Sequence, residues 1–241
     1  MEDKEENKKD WYKKREEHWS SLEPNLKSVL GGYEDSQLPD VKCSCELLNG
    51  LILTKQLNPI SCLDCAAGIG RVTEHVLSNL FKEIDLFEKN KLFIEKCKIK
   101  FSDNDKIKNI YNSSLENFEF KKKYDLIWIQ WCLENLEDED LIPFLKKCYE
   151  NINDNGIIIV KENLYNINED DPEENEDKNK KKENNYEYKY SNLDYSKQRP
   201  DAFYINLFLE CKFKIKLHFL NPNWPENMMP LCIYVLSKNK I

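Results

Sequence analysis

Long hydrophobic runs are absent from this chain, and so is a secretory signal. No apolar stretch approaches the roughly 20 residues that cross a bilayer as a helix. The first six residues, M-E-D-K-E-E, lack the apolar segment of a signal peptide. Nine cysteines without a signal indicate reduced thiols. We therefore expect a location in the cytoplasm, the nucleus or both, and no membrane partner.

A basic face is also absent. The chain has 36 lysines and arginines against 44 aspartates and glutamates, a net charge of −8, and its basic residues are scattered among acidic ones. Because neutralisation of phosphates drives nucleic-acid binding, we expect no nucleic-acid partner. A cationic peptide or a small cation suits an acidic protein better. We further expect the chain to act as a monomer.

Histidine is scarce, and the cysteines lack the spacing of a metal site. The three histidines fall on separate predicted elements, so no Ser/His/Asp or Cys/His arrangement for nucleophilic catalysis is present. Cys62 and Cys65 form a C-x-x-C and Cys43 and Cys45 a C-x-C, but no second pair follows at zinc-finger spacing. We therefore expect no metal, and interpret these cysteines as small buried hydrophobic residues.

The order of apolar segments predicts an α/β fold. Residues 1–58 have the apolar spacing of helices, whereas short apolar strands alternate with helices over residues 59–241. Strands are predicted at 60–64, 83–88, 108–112, 124–130, 155–161, 212–219 and 230–237, and helices at 70–80, 90–100, 138–152 and 199–210. Such alternation favours a mostly parallel sheet covered on both faces. We expect one Rossmann-like domain of seven strands after an N-terminal helical extension.

One segment does not fit this plan. Between Glu169 and Asn185 the only apolar residue is Pro172, and an acidic half is followed by a run of lysines. Such a segment cannot bury enough surface to order itself. We predict a disordered insertion at about residues 167–186.

The most informative motif is the turn Leu63–Arg71, which reads L-D-C-A-A-G-I-G-R. Small residues between a strand and a helix let a nucleotide-like ligand approach the backbone, and the helix N-terminus offers free N–H groups. Glu88 ends the next strand about 20 residues on, where such folds bind ribose hydroxyls. Ala66 stands where a dinucleotide fingerprint has glycine, which favours S-adenosylmethionine over NAD. A tight structural turn is the remaining interpretation.

Two further strand ends carry polar side chains. Gln130 and Trp131 end the fourth predicted strand, and Asn163 follows the fifth. Ligands bind outside the carboxyl ends of such strands, so we expect these residues near the same crevice as the turn. Trp131 is either a pocket wall or a core residue, whereas Trp128 is assigned to the core. Asn163 either holds a polar group or caps a turn.

Two segments near the C-terminus are open to more than one interpretation. Asp194 and Ser196 precede the helix predicted at 199–210, and either could cap it. The segment Asn221–Trp224, N-P-N-W, is similar to the N-P-P-aromatic motif of amide and nucleobase amino methyltransferases. That motif follows the fourth strand, whereas this segment lies between the last two. We interpret it as a hairpin turn.

Several segments together resemble the protein α-N-terminal methyltransferases. They are the turn Leu63–Arg71, W-I-Q-W at 128–131, G-I-I at 156–158, K-E-N at 161–163 and L-G-G-Y at 30–33. The resemblance implies a seven-stranded class I methyltransferase domain, with an N-terminal helical extension over the substrate site. It implies S-adenosylmethionine as the cofactor. As the substrate it implies the free α-amine of proteins that begin X-Pro-Lys after removal of the initiator Met.

The resemblance also implies which residues form the site. Those for the cofactor are Ala66, Gly68, Arg71, Glu88, Lys89, Asn90, Leu115, Glu116 and Gln130. Those for the peptide are Trp19, Leu30, Gly31, Trp131, Asn135, Asn163, Asp194 and Ser196. In this arrangement Trp131 stacks on the substrate proline, and acidic and hydroxyl groups around Asp194 and Ser196 receive the lysine at the third position.

Three positions depart from the family pattern. Ala66 replaces the first glycine, and Glu88 replaces an aspartate. The family's catalytic histidine aligns with Asn135, and asparagine cannot accept a proton. We therefore assign proton acceptance to Asp194, with Asn135 and Asn163 as orienting groups in catalysis. Two other functions stay open: methylation of a different amine, in a small molecule or a lysine, and non-catalytic binding of cofactor or peptides.

A histidine restored at position 135 tests this assignment. Because histidine offers a base near neutral pH, we expect Asn135→His to raise the rate or to move the pH optimum downward. The measurement compares the pH–rate profiles of the variant and the native chain on an X-Pro-Lys peptide. If both the rate and the pH–rate profile stay unchanged, a base at position 135 does not contribute to the reaction.

Overall fold

Ten strands form two sheets in a computed structural model that describes residues 2–165, 180–183 and 186–239. The strands are β1 (Ser61–Cys65), β2 (Glu83–Glu88), β3 (Ile107–Asn112), β4 (Tyr124–Gln130), β5 (Ile152–Asn163), β6 (Lys180–Glu183), β7 (Tyr186–Tyr190), β8 (Lys197–Gln198), β9 (Phe213–Leu220) and β10 (Leu231–Lys238). The larger sheet has the order β3-β2-β1-β4-β5-β10-β9. β10 runs antiparallel to β5 and β9, and the other pairs are parallel. The predicted seven-stranded, mostly parallel sheet is therefore confirmed.

The helices follow the predicted order. They are α1 (Glu2–Ser21), α2 (Leu26–Val29), α3 (Gln37–Leu53), α4 (Ser78–Leu80), α5 (Lys91–Lys100), α6 (Asp138–Glu150) and α7 (Asp201–Glu210). The first three form the expected N-terminal helical extension. The helix predicted at 70–80 differs in detail, because a π-helical segment, Thr73–Leu77, precedes α4. Within the described ranges, every helix is too short or too polar to traverse a bilayer.

Side chains of the central strands alternate between two hydrophobic cores. On β4, Ile127 and Ile129 pack in a core with α6 and α7, whereas Leu126 and Trp128 pack in a core with α3 and the helix before β2. All four residues are fully buried. Both faces of the sheet are thus covered, as continuous apolar strands require. The assignment of Trp128 to the core is confirmed.

β5 begins earlier than the sequence predicts. The sequence predicts a start at residue 155, but the strand already pairs at Ile152. Its register against β4 jumps from Tyr124 opposite Ile152 to Leu126 opposite Ile157, so the intervening residues form a bulge. A Cβ at Gly156 would lie 2.9 Å from the carbonyl oxygen of Tyr124. Glycine permits this close backbone approach.

Part of the predicted disordered insertion is a strand. Residues 166–179 and 184–185 lie outside the described residues, but β6 pairs antiparallel with β7, and β7 with β8. The prediction was therefore wrong for Lys180–Glu183. Its basis was the side-chain composition of the segment, whereas the strand forms by backbone pairing with the tyrosine-rich β7, and tyrosine favours strands.

Substitution of Gly156 tests the bulge. In Gly156→Ala the added methyl would lie 2.6 Å from Ile152 Cγ1 as well as close to the Tyr124 carbonyl. We expect the free energy of unfolding to fall by about 1–3 kcal/mol. The matched control is Gly50→Ala in α3, where a Cβ meets nothing within 4 Å. That variant is expected to gain about 0.5–1 kcal/mol. Chemical denaturation measures the free energy of unfolding of both variants. If Gly156→Ala is as stable as Gly50→Ala, the close backbone approach at the bulge is contradicted.

Candidate active site

A cleft of about 470 Å³ opens at the carboxyl ends of β3, β2, β1 and β4. Helix α1, the end of α2 and the segments that follow these four strands form its walls. The lining residues are Arg15, Glu16, Trp19, Ser20, Val29, Asp64, Cys65, Ala66, Ala67, Gly68, Arg71, Val72, Glu88, Lys89, Asn90, Lys91, Leu92, Phe93, Ser113, Ser114, Leu115, Glu116, Gln130, Trp131, Cys132 and Asn135. The connections from β1 and β4 diverge here, which is where open parallel sheets bind ligands.

Every residue predicted to hold the cofactor lines this cleft. They are Ala66, Gly68, Arg71, Glu88, Lys89, Asn90, Leu115, Glu116 and Gln130. Of the residues predicted for the peptide, Trp19, Trp131 and Asn135 also line it. Leu30, Gly31, Asn163, Asp194 and Ser196 are not among the lining residues. The sequence pattern thus assembles one cavity, while the role of each side chain in it stays a prediction.

The turn after β1 has a backbone that favours small residues. Ala66, Gly68 and Gly70 all have positive φ angles, of 49°, 57° and 74°. A Cβ at Gly70 would lie 2.5 Å from the ring of Phe101, so this glycine lets α5 pack against the turn. A Cβ at Gly68 would contact Val29 at 3.3 Å. The turn therefore needs its glycines for backbone conformation and for packing.

Glu88 fixes the shape of that turn. The N–H of Gly68 donates to Glu88 Oε2 at 3.0 Å, and the N–H of Asn90 donates to Oε1 at 2.8 Å. Burial raises the pKa of Glu88, and these N–H donors partly oppose the shift. A carboxylate oxygen can accept more than one hydrogen bond, so each oxygen of Glu88 can also accept a hydrogen bond from a hydroxyl group of a ligand.

Helix α1 covers the cleft through contacts that the sequence analysis did not assign. Asn90 Nδ2 donates to the carbonyl of Trp19 at 2.7 Å. Arg15 is buried; it donates to the carbonyl of Asn135, and its NH2 lies 3.8 Å from Glu116 Oε1. The one available signal for Arg15 was its place one helical turn before Trp19. The contacts of Arg15 therefore join the N-terminal extension to the segments that follow β3 and β4.

Trp131 forms a wall of the cleft, as one of its two interpretations required. The Arg71 guanidinium lies 5.0 Å from the centroid of its ring, and the Trp224 ring lies 6.1 Å away on a tilted plane. Trp131 has a positive φ of 52°, and its N–H donates to the carbonyl of Lys161. Trp224 belongs to the turn between β9 and β10, so the hairpin interpretation of Asn221–Trp224 is confirmed. Its contact with Trp131 was not foreseen.

Buried carboxylates support the segment that carries Trp131 and Asn135. Glu162 Oε1 accepts the N–H groups of Cys132 at 2.9 Å and Leu133 at 2.8 Å. Burial raises the pKa of Glu162 to about 7. The pKa of Glu134 is also raised, by burial and then by the charges of Glu162 and Asp194. Glu162 belongs to the K-E-N segment, but its local sequence gives no sign of this role, because its partners are 30 and 29 residues away.

The remaining predicted peptide residues lie outside the lining of the cleft. Asp194 accepts a hydrogen bond from Ser196 Oγ at 3.0 Å in the loop between β7 and β8. Because α7 begins with Pro200 as its N-cap, the alternative that Asp194 or Ser196 caps this helix is wrong. Leu30 is the C-cap of α2 and Gly31 follows it, next in the chain to the lining residue Val29.

Asn163 is the last residue of β5, and its Oδ1 is buried with no hydrogen-bond partner among the described residues. It therefore caps no turn in that part of the chain. An unpaired buried acceptor of this kind can hold a polar group of a ligand.

Asp40, on α3, is a further residue that the sequence analysis did not assign. Arg71 NH1 lies 2.8 Å from Asp40 Oδ2, and Gln130 Nε2 donates to Oδ1 at 2.9 Å. Lys161 also donates to Asp40 Oδ1. A lone aspartate after a proline gave no signal of these contacts, because its partners are 31, 90 and 121 residues distant.

The polar groups of the cleft fit S-adenosylmethionine. Glu116 Oε2, Trp131 Nε1 and Asn135 Oδ1 are buried without a hydrogen-bond partner among the described residues. Because buried polar atoms are nearly always paired, they indicate a polar ligand. Arg71 and Gln130 supply donors for a carboxylate, and Glu88 supplies an acceptor for hydroxyl groups.

Outside the cleft, Asp201, His218 and Cys232 bring possible metal-ligand atoms within 4.8 Å of one another. Asp201 Oδ1 already accepts hydrogen bonds from Tyr234 at 2.5 Å and pairs with His218 Nε2 at 2.9 Å. Hydrogen bonding thus accounts for this cluster. Cys43, Cys62 and Cys65 are buried in the cores, as expected, and Cys45 is half-buried.

Comparison with known proteins agrees with this geometry. The sequence model of the AdoMet-dependent proline di-methyltransferase family matches residues 7–186. The chain is similar to alpha N-terminal protein methyltransferase 1 of Dictyostelium discoideum, with 34% identity over 99% of this chain and 81% of the relative. It is similar to human N-terminal Xaa-Pro-Lys N-methyltransferase 1, with 33% identity over 66% of this chain and 73% of the relative.

A solved structure supports the same assignment. A SAM-dependent methyltransferase from Leishmania major has a TM-score of 0.81 and 28% identity, and the match covers 94% of this chain and 83% of that one. The expected class I methyltransferase fold and the expected cofactor, S-adenosylmethionine, are thereby confirmed. The chain belongs to the family of AdoMet-dependent proline di-methyltransferases, and it is an S-adenosylmethionine-dependent methyltransferase.

Proposed function

We propose that this protein transfers methyl groups from S-adenosylmethionine to the free N-terminal α-amine of proteins that begin X-Pro-Lys after removal of the initiator Met. Relatives named for N-terminal methylation, including the human Xaa-Pro-Lys enzyme, support the proposal. One observation carries it: Trp131 and Asn135 line the same cleft as the residues assigned to the cofactor. A peptide end that contacts Trp131 is therefore close to the donor.

The peptide side of the proposal rests on shape and charge. Trp131 stacks on the substrate proline, whose fixed φ angle lowers the entropy lost on binding. Acidic and hydroxyl groups around Asp194 and Ser196 receive the lysine of the third position, and the net charge of −8 favours a cationic N-terminus. Trp19, Leu30 and Gly31 complete the peptide site.

The cofactor side rests on charge complementarity. Arg71 and Gln130 bind the carboxylate, Glu88 binds the ribose hydroxyls, and the other assigned residues, Ala66, Gly68, Lys89, Asn90, Leu115 and Glu116, shape the remaining walls. When bound, S-adenosylmethionine supplies a methyl group already activated by its sulfonium. The protein therefore contributes mainly position and exclusion of water.

Proton removal is the chemical task left to the protein. An α-amine has a pKa of about 7.7–8.0, so much of it is protonated near neutral pH. In our proposal a carboxylate oxygen of Asp194 takes that proton, directly or through one water, and passes it to solvent. The amine is then neutral, with its electron pair free. Asn135 and Asn163 hold the nitrogen in place through their amide oxygens, both of which are buried without partners among the described residues.

We also propose that the protein acts as a monomer in the cytoplasm, the nucleus or both, on protein N-termini and not on nucleic acids or membranes. The support is compositional. All nine cysteines are free thiols, and no excess of basic residues is present to neutralise phosphates.

Mass spectrometry of a peptide substrate tests the proposed function. A synthetic X-Pro-Lys peptide, incubated with the protein and S-adenosylmethionine, is expected to gain methyl groups on its α-nitrogen, located by fragmentation. The matched control is the same peptide with an acetylated α-amine, which has no free electron pair to methylate and should stay unchanged.

Two results would overturn the proposal. Equal methylation of the acetylated peptide would identify a different amine, such as the lysine. Cofactor binding without any methylated product would identify a non-catalytic binding domain, which Asn135 in place of the family histidine makes a real alternative.

A further inference from the structure

The carboxylate of Asp40 contacts residues of the methyltransferase sheet and not those of its own extension. It lies in the first turn of α3 and is only 1% exposed. Its Oδ2 pairs with Arg71 NH1, and its Oδ1 accepts from Gln130 and Lys161. One buried carboxylate thus joins the N-terminal helices to the exits of β1, β4 and β5.

Asp40 fixes which way the Gln130 amide faces. Trp128 Nε1 donates to Gln130 Oε1 at 3.0 Å, while Gln130 Nε2 donates to Asp40. Because Trp128 can only donate and the Asp40 carboxylate can only accept, the Gln130 amide has a single orientation. The second N–H of Nε2 is then the hydrogen that Gln130 has left for a ligand in the cleft.

Asp40 restrains Arg71 in the same manner. Arg71 NH1 also donates to Gln37 Oε1 at 3.0 Å, so α3 holds one end of the guanidinium twice. Among the described residues, Nε and NH2 of Arg71 have no hydrogen-bond partner, and Arg71 lines the cleft. The guanidinium also lies over Trp131, at 5.0 Å from the ring centroid. Nε and NH2 of Arg71 are therefore held in the cleft, between the residues assigned to the cofactor and Trp131, which is assigned to the peptide.

Asp40 lies between two buried cations. Its carboxylate is within 4 Å of both Arg71 and Lys161, and no other carboxylate of the described residues pairs with both. Burial opposes ionisation of Asp40, but Lys161 and Arg71 outweigh it and hold the pKa of the carboxyl below its ordinary value. Asp64, a buried carboxylate that also lines the cleft, interacts with the charge of Arg71 as well. The N–H donors of Arg71 that Asp40 leaves unused are complementary to a carboxylate ligand.

We propose that Asp40 is a positioning residue, which orients Arg71 and Gln130 for the carboxylate of S-adenosylmethionine and thereby couples docking of the N-terminal extension to cofactor binding. The inference rests on the cofactor roles of Arg71 and Gln130 in the proposed function, and not on the identity of the peptide. By reciprocity, the bound cofactor stabilises the docked extension.

The test measures binding of S-adenosylhomocysteine by calorimetry, without any peptide. Asp40→Asn keeps the shape but removes the charge, and its amide can present a donor to Gln130. We expect the dissociation constant to rise at least tenfold. The matched control is Ser44→Ala, one turn further along α3. Ser44 accepts from Lys161 at 2.7 Å and does not contact Arg71 or Gln130. We expect this variant to bind within threefold of the native chain.

A second variant separates positioning from folding. Asp40→Asn leaves Lys161 buried and unpaired, which destabilises a protein, so we combine it with Lys161→Met. The double variant has the same net charge in the cluster as the native chain, and we expect it to fold, which circular dichroism can verify. We still expect its dissociation constant for S-adenosylhomocysteine to be at least tenfold higher than that of the native chain. If the folded double variant binds within threefold of the native chain, Asp40 serves folding only and the inference is overturned. If the native chain itself binds no S-adenosylhomocysteine, the proposed function fails instead.

Discussion

Parallel pairing of β1 with both β2 and β4 is the constraint on which the site depends. Because these strands run in one direction, their carboxyl ends meet at one edge of the sheet. The chain leaves β1 and β4 toward opposite sides, and the gap between the two connections becomes the cleft. The turn Leu63–Arg71, Glu88 and Gln130 face one another because backbone pairing aligns the strands. Small residues in the turn then keep the gap open to a ligand.

How far the sequence predicts this arrangement depends on how far apart the interacting residues lie. Gly68 and Glu88 are recognisable because a strand, a turn and a helix set their spacing, and their hydrogen bond confirms the pattern. Trp131 follows from the rule that ligands bind at strand ends. Asp40 and Arg15 do not follow, because their partners belong to remote elements and their local sequence is ordinary. β6 was mispredicted because composition describes what a segment buries, not which backbone pairs with it.

Carboxylates lie close to the segment that carries Trp131 and Asn135. Burial raises the pKa of Glu162 to about 7, and this carboxylate accepts the backbone N–H groups of Cys132 and Leu133, which follow Trp131. Asp194 adds a carboxylate within electrostatic reach of Glu134. In the proposed function the carboxylate of Asp194 attracts the cationic peptide end and accepts its proton. In the proposed function Asp194 takes the proton, Asn135 orients the amine, and Trp131 contacts the substrate proline.

In the proposed function a single cleft holds the cofactor and the N-terminus of a peptide side by side. A crystal structure of the protein with S-adenosylhomocysteine and an X-Pro-Lys peptide tests it most directly. We predict the cofactor carboxylate on Arg71 and Gln130, the proline against Trp131, and the α-amine within direct or one-water reach of Asp194. A peptide bound elsewhere on the protein, or an α-amine turned away from the cofactor sulfur, would contradict the claim.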